Sequence, residues 1–139
     1  MSIFEPMNKE FTCLLIDDDQ DDREIFLSVL QDVVPSIRCV TAMNGEEGLR
    51  ILLSHEVEPD LIFVDMNMPL MNGKQFLEKY SHIDDIKSIP VIMLTTSSDK
   101  KSIEETLGLG ARDYITKPDR FSGWGMVIRE KINAFRTGG

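Results

Sequence analysis

Short apolar runs alternate along the chain with longer segments in which apolar residues recur every three or four positions. Short runs of this kind predict strands buried on both faces, and the longer segments predict amphipathic helices. The predicted strands cover residues 11–16, 37–41, 61–64, 91–94 and 114–116. The pattern therefore predicts five successive β–α units, (βα)5.

A helical stripe of apolar residues follows each predicted strand, and turn residues close it. Pro35 ends the first stripe, and the fourth stripe consists of Ile103, Leu107 and Ala111. Buried strands that are joined by helices favour a parallel sheet covered on both faces. We therefore expect an α/β fold with an open, doubly wound, five-stranded parallel sheet in the order 2-1-3-4-5.

One domain accounts for most of the 139 residues, since single domains usually hold about 100–200 residues. We expect an N-terminal tail at residues 1–10, one domain at residues 11–136 and a C-terminal tail at residues 137–139. Cys13 and Cys39 lie in apolar stretches. We expect both to be small buried core residues that form neither a disulfide nor a zinc site.

Charge and composition exclude several classes of function. The chain has 15 Lys and Arg against 24 Asp and Glu, a formal net charge of −9. We expect no direct nucleic-acid partner, because binding a phosphate backbone requires a basic stripe. The longest aliphatic runs are far shorter than the ~20 residues of a membrane span, and the first residues lack the apolar block of a secretion signal. We therefore expect a cytoplasmic protein without a membrane partner.

Polar side chains of particular kinds follow four of the predicted strands. Asp17 and Asp18 come after the first strand, Asp65 after the third, Thr95 after the fourth and Lys117 after the fifth. The carboxyl ends of parallel strands lie at the same edge of a sheet, where α/β proteins bind their ligands. We therefore expect these distant residues to meet in one site.

Electrostatics predicts a divalent cation at this site. Two unit charges 4 Å apart repel each other by about 4 kcal/mol at an effective dielectric constant near 20. Lys117 supplies one positive charge and cannot neutralise three carboxylates. Oxygen ligands without His or Cys favour Mg²⁺ or Mn²⁺ over zinc.

A carboxylate beside a cation, a lysine and a hydroxyl is suited to accepting a phosphoryl group. The transition state spreads negative charge over three oxygens, which these groups could neutralise. We expect Asp65 to be the nucleophile because its strand is central in the expected order. Lys117 and Thr95 would each bind one phosphoryl oxygen.

The chain resembles the receiver domain of two-component response regulators, in the stand-alone form of the chemotaxis regulators. The likeness extends from Phe11 to Phe135 and implies the flavodoxin-like form of the fold. The matching motifs are Leu15-Ile16-Asp17-Asp18, Val64-Asp65-Met66-Asn67-Met68-Pro69, Asn72-Gly73, residues 91–95, Gly110-Ala111 and Tyr114-Ile115-Thr116-Lys117-Pro118.

The resemblance implies a role for each residue of the site. Asp65 would accept a phosphoryl group from a sensor histidine kinase or a histidine phosphotransfer protein. Asp18, Asp65 and the backbone carbonyl of Asn67 would bind Mg²⁺ directly, and Asp17 would act mostly through a metal-bound water. The implied phosphoryl-binding and switch residues are Thr95, Thr96, Lys117 and Tyr114. The implied cis peptide bond precedes Pro118, where proline makes that geometry accessible.

The resemblance also implies how the signal leaves the molecule. The output surface would comprise the fourth helix, the fifth strand and the fifth helix, which could also mediate a homodimer. No segment with its own activity follows Arg136, so we expect output through a downstream protein target or onward phosphotransfer. The protein would be a phosphorylation switch and not an enzyme with an external substrate.

Several alternatives are compatible with the sequence. A pseudo-receiver that binds partners without phosphorylation is the main one. Asp19, Asp21 and Asp22 are better explained by helix capping and the helix dipole than by metal binding. A dehalogenase-like phosphatase is disfavoured, because Asn67 stands where such enzymes need an acid. Trp124 and Phe121 could form a docking patch. Core packing of the last helix is the favoured interpretation.

Overall fold

The computed structural model describes residues 11–96, 99–117 and 123–137. Strands and helices alternate strictly in this part of the chain. The strands are β1 (Thr12–Ile16), β2 (Arg38–Ala42), β3 (Leu61–Asp65), β4 (Val91–Thr95) and β5 (Asp113–Thr116). The helices are α1 (Gln20–Val33), α2 (Gly45–Ser54), α3 (Gly73–Ser81), α4 (Lys100–Gly108) and α5 (Trp124–Thr137). Each strand differs from its predicted bounds by one residue at most at either end.

The five strands form one sheet in the order β2-β1-β3-β4-β5, and every neighbouring pair is parallel. The predicted fold class and strand order are therefore confirmed. Among the described residues, no helix combines the length and apolar character needed to cross a membrane.

Two apolar clusters cover the two faces of the sheet. Successive β1 residues alternate between them, so that Leu14 belongs to one cluster and Leu15 to the other. The second cluster contains Phe26 of α1 and Trp124 of α5, whose rings pack edge-on with centroids 5.8 Å apart. Core packing of Trp124 is thus confirmed, whereas Phe121 lies outside the described residues.

Burial on both faces was predicted for every strand, and for the edge strands β2 and β5 this prediction is wrong. Ala42 of β2 and Ile115 of β5 are buried, and the other residues of these two strands are half-buried or exposed. Cys39 of β2 is accordingly half-buried, whereas Cys13 of β1 is fully buried. The two cysteines are register partners in adjacent strands, and both are free thiols.

The predicted apolar stripe of α4 is also wrong. The helix ends at Gly108, before Ala111, and Leu107 remains 39% exposed. Thr106 is fully buried instead, and its hydroxyl donates a hydrogen bond to the Ile103 carbonyl. A hydroxyl that is paired within its own helix can be buried at little cost.

Side-chain caps fix the helix starts that follow β1, β2 and β3. Asp19 caps α1 by accepting a hydrogen bond from the Asp22 amide, and Asn44 caps α2. Asn72 caps α3 in a reciprocal capping box with Gln75. These caps satisfy amides that a helix leaves unpaired, and they join each helix tightly to the strand before it. The predicted capping role of Asp19 is confirmed.

Gly73 permits the close approach of α3 to the end of β3. A Cβ atom at this position would lie 2.8 Å from the Cα of Met66 and 3.0 Å from the carbonyl oxygen of Asp65. Backbone atoms cannot move aside as a flexible side chain can. Glycine is therefore required where the helix meets the candidate site.

We predict that Gly73→Ala lowers the free energy of unfolding by about 1–3 kcal/mol, the usual cost of overpacking. Gly108→Ala is the matched control, because nothing lies within 4 Å of a Cβ atom there. This control should gain up to about 1 kcal/mol from the higher helix propensity of alanine. Urea denaturation of both variants measures the difference, and equal stabilities would contradict the packing argument.

Candidate functional site

Residues far apart in sequence meet at the carboxyl ends of the strands. Lys117 follows β5 and extends towards Asp17 and Asp65, and its Nζ atom lies 3.3 Å from a carboxylate oxygen of each. The Lys117 amide also donates to the carbonyl oxygen of Thr95, at 2.7 Å. The parallel sheet thus brings the ends of β1, β3, β4 and β5 into one site.

Three carboxylates form the centre of this site. Asp17, Asp18 and Asp65 each offer an oxygen atom, and these oxygens all lie within 4.8 Å of one another. Asp17 is 2% exposed and Asp65 is 4% exposed, whereas Asp18 is open to solvent. The cluster therefore has two buried acids and one acid at its mouth.

The surroundings of Asp17 hold its carboxylate in place. Its Oδ1 atom accepts a hydrogen bond from the Asp19 amide at 3.0 Å, and Arg23 donates to its carbonyl oxygen at 2.8 Å. Burial raises the pKa of Asp17 to about 6, although the Asp19 amide and Lys117 oppose this shift. Loss of hydration thus outweighs the stabilising partners.

Asp65 is held in a similar way, by the Asn67 amide, which donates to its Oδ1 atom at 3.3 Å. Burial raises the pKa of Asp65, and Lys117 and the Asn67 amide oppose that shift. Burial alone would lower the pKa of Lys117, but the neighbouring carboxylates raise it instead. Lys117 is therefore a permanent cation at neutral pH.

The donor set fits a hard divalent cation. Three clustered carboxylates repel one another, and the single ammonium of Lys117 cannot neutralise them all. Carboxylate and carbonyl oxygens without a nitrogen or sulfur ligand suit Mg²⁺ or Mn²⁺. Asp17, Asp18 and Asp65 are the side chains that could hold such an ion.

The remaining predicted site residues differ in position and burial. Thr95 is buried at the end of β4, and Thr96 is exposed beside it. The Asn67 side-chain amide donates to the Thr96 hydroxyl at 3.4 Å, which links the loops after β3 and β4. Tyr114 is half-buried against one of the two core clusters. Pro118 lies outside the described residues, and so does its predicted cis peptide bond.

One contact of the site was not predicted from the sequence. The Oδ2 atom of Asp22, in the first turn of α1, lies 3.0 Å from Nζ of Lys117. Helical side chains point towards the N-terminus of their helix, and here that end adjoins the carboxyl end of β1. The position of Asp22, three residues after the capping Asp19, could therefore have predicted that its carboxylate faces the site.

The raised pKa of Asp17 predicts a pH-dependent free energy of unfolding for the metal-free protein. Its folded pKa of about 6 lies above the ordinary 3.8, so the folded chain binds this proton more tightly than the unfolded chain. The resulting stabilisation is complete below the unfolded pKa and is lost as the pH rises through the folded value. Asp17→Asn should therefore raise the free energy of unfolding at pH 8 by about 1–3 kcal/mol.

Urea denaturation in the presence of EDTA measures this gain, which should shrink as the pH falls from 8 towards 4. Asp32→Asn, an exposed change on the same helix, is the control and should stay within about 0.5 kcal/mol of the unaltered chain. A gain that does not depend on pH would show that the charge of Asp17 is not its origin.

Comparison with known proteins shows the family of the chain. The family model for the response regulator receiver domain matches residues 13–122. The probable C4-dicarboxylate response regulator DctR of Bacillus subtilis is 36% identical over 110 residues, which are 79% of this chain and 47% of that protein. The chain thus spans about half the length of this curated relative.

Solved structures show the same fold. The chemotaxis protein CheY4 of Vibrio cholerae superposes with a TM-score of 0.75 at 26% identity, covering 87% of this chain and 98% of that one. The Mn²⁺-bound form of response regulator Rcp1 has a TM-score of 0.77 at 24% identity, covering 90% and 93%. The chain belongs to the response regulator receiver domain family.

Proposed function

We propose that this chain is a phosphorylation switch that accepts a phosphoryl group on Asp65. The donor is the phosphohistidine of a sensor histidine kinase or a histidine phosphotransfer protein. The observation that carries the proposal is the position of Asp65, which is buried at the centre of the site with a lysine ammonium 3.3 Å from its carboxylate. Membership of the receiver family supports it.

The transfer requires a nucleophile and groups that bind the phosphoryl oxygens. A carboxylate oxygen of Asp65 attacks phosphorus and forms a new P–O bond, while the bond from phosphorus to the donor histidine nitrogen breaks. The bonding electron pair stays on the imidazole, which takes a proton from solvent. Lys117 binds one phosphoryl oxygen as a cation, and the Thr95 hydroxyl binds another. Positioning and charge neutralisation of this kind supply most of the catalysis in phosphoryl transfer.

A divalent cation, Mg²⁺ or alternatively Mn²⁺, completes the proposed site. Asp18, Asp65 and the backbone carbonyl of Asn67 would hold the ion directly, and Asp17 would act mostly through a metal-bound water. The ion supplies positive charge that neutralises the acids and the incoming phosphoryl group. The clustered carboxylate oxygens support this assignment, as does the Mn²⁺-bound form of Rcp1.

The proposed output is a change of protein surface. Thr95 moves towards the phosphoryl group, Tyr114 turns inward, and the surface of α4, β5 and α5 changes for a downstream protein or for a second copy of the chain. Reversing a 1:99 population requires about 5.5 kcal/mol of differential stabilisation. New charged contacts at Thr95 and Lys117 are the proposed source of that free energy. The phosphoryl group then leaves slowly by hydrolysis.

We predict that acetyl phosphate with Mg²⁺ adds one hydroxylamine-labile phosphoryl group to the chain, and that Asp65→Asn abolishes this addition. The amide of asparagine is not a nucleophile of comparable strength, so no acyl phosphate can form. Intact-mass analysis measures the product. Asp84→Asn, an exposed change outside the site, is the matched control and should be labelled normally.

Label on the Asp65→Asn variant would refute the choice of nucleophile. An unaltered chain that takes no label from acetyl phosphate, and none from a panel of phosphorylated histidine phosphotransfer proteins, would favour the pseudo-receiver alternative.

We also predict that Asp18→Ala weakens Mg²⁺ binding at least about tenfold, because it removes one of a few carboxylate ligands. Isothermal titration calorimetry measures the affinity. Asp21→Ala is the control, since it removes an equal charge from an exposed position of α1. Equal affinities for the two variants would place the cation elsewhere.

A further inference from the structure

Lys117 has a third carboxylate partner that the proposed chemistry does not use. Its Nζ atom lies 3.0 Å from Asp22 Oδ2, closer than the 3.3 Å to each of Asp17 and Asp65. The contact joins residues 95 positions apart in sequence and connects α1 with the end of β5. The Lys117 side chain is 12% exposed and that of Asp22 is 42% exposed.

The three contacts match the bonding capacity of the lysine. An ammonium group carries three protons and no acceptor, and this one faces three carboxylates. Two of them, Asp17 and Asp65, belong to the cluster that could hold a metal ion. Asp22 does not belong to that cluster and lies on the α1 side of the lysine.

The backbone of Asp22 is itself fixed. Its amide donates a hydrogen bond to Oδ1 of Asp19, the N-cap of α1, at 3.0 Å. Arg23, the next residue, donates from its side chain to the carbonyl oxygen of Asp17 at 2.8 Å. The first turn of α1 is therefore attached to the end of β1 on both sides of Asp22, so the backbone that carries this carboxylate has a defined place beside the lysine.

The consequence follows from what phosphorylation does to the partners of Lys117. When one oxygen of Asp65 becomes the bridging oxygen of an acyl phosphate, its negative charge passes to the phosphoryl oxygens. Lys117 must then exchange its contact with Asp65 for one with a phosphoryl oxygen. Its contact with Asp22 needs no exchange, because that carboxylate takes no part in the reaction.

We propose that Asp22 is a positioning residue that holds the Lys117 ammonium beside Asp65 during phosphoryl transfer, an inference that rests on the proposed function. Lysine has a long flexible stem, and ordering it costs side-chain entropy. A contact with Asp22 that persists through the reaction keeps the ammonium where negative charge develops on the phosphoryl oxygens. Asp22 acts only through Lys117 and does not touch the reacting atoms.

Two other roles for Asp22 lead to different results. As a carboxylate that only interacts with the dipole of α1, it would behave like its neighbour Asp21, which is exposed in the same first turn. As a competitor that withdraws Lys117 from the phosphoryl group, it would slow the reaction, and its removal would accelerate labelling. Asp21→Asn is therefore the matched control, because it removes the same charge from the same turn of the helix.

The experiment measures the rate at which acetyl phosphate labels Asp65, at saturating Mg²⁺, by intact-mass analysis. Asp22→Asn should lower the rate about threefold to tenfold, up to about 1.4 kcal/mol of lost stabilisation, and Asp21→Asn should change it less than about twofold. Asp22→Glu, which keeps the charge, should restore most of the rate. In a Lys117→Ala background, Asp22→Asn should have no further effect.

A second measurement depends on neither phosphorylation nor a metal. Mild acylation of amines, mapped by peptide mass analysis in EDTA, reports how freely Lys117 leaves its partners. Asp22→Asn should increase acylation of Lys117 relative to Asp21→Asn, with circular dichroism melting curves showing that both variants are folded. If Asp22→Asn does not fold, Asp22→Glu serves as the second variant. Its Lys117 should be acylated as slowly as that of the unaltered chain.

Three results would each overturn the inference. The first is an equal labelling rate for Asp22→Asn and Asp21→Asn, and the second is a faster rate for Asp22→Asn than for the unaltered chain. The third is an undiminished effect of Asp22→Asn on the labelling rate in the Lys117→Ala background. In those cases normal labelling of Asp65 in the unaltered chain leaves the proposed function intact. Absence of any label on Asp65 in the unaltered chain would overturn both.

Discussion

Like charges at the buried end of an apolar sheet are stable only when cations lie among them. Asp17 and Asp65 are almost fully buried, and burial raises the pKa of both. The Lys117 ammonium contacts both carboxylates and partly offsets the desolvation and the repulsion. The excess negative charge that remains makes the site receptive to a divalent cation.

The fold meets this constraint through parallel strands of nearly equal length. Hydrogen bonds between strand ends, such as that from the Met66 amide to the Leu94 carbonyl, keep β3 and β4 in register up to the site. Capped helices begin soon after β1 and β3, and Gly73 lets α3 pack against backbone atoms there. The site geometry is thus a property of the sheet and not of a mobile loop.

The periodic pattern predicted the strands, and the usual topology of doubly wound sheets predicted their order. The meeting of the acids with Lys117 followed, because parallel strands place their carboxyl ends at one edge. It failed where a residue's environment depends on its neighbours in space. Cys39 is half-buried because its strand lies at the edge. Thr106, whose hydroxyl is paired, is buried in the interior, whereas Leu107 is exposed. The contact of Asp22 with Lys117 depends on how α1 lies against β5, which periodicity does not encode.

The cap of α1 has a consequence for the motions of the protein. The Asp19 amide donates to the Asp17 carboxylate, and the Asp19 carboxylate accepts from the amide of Asp22. These two hydrogen bonds connect the first turn of the helix with a buried acid of the site. We therefore expect the helix end and the site to open together, so that a cation bound at the site would slow amide exchange at the start of α1.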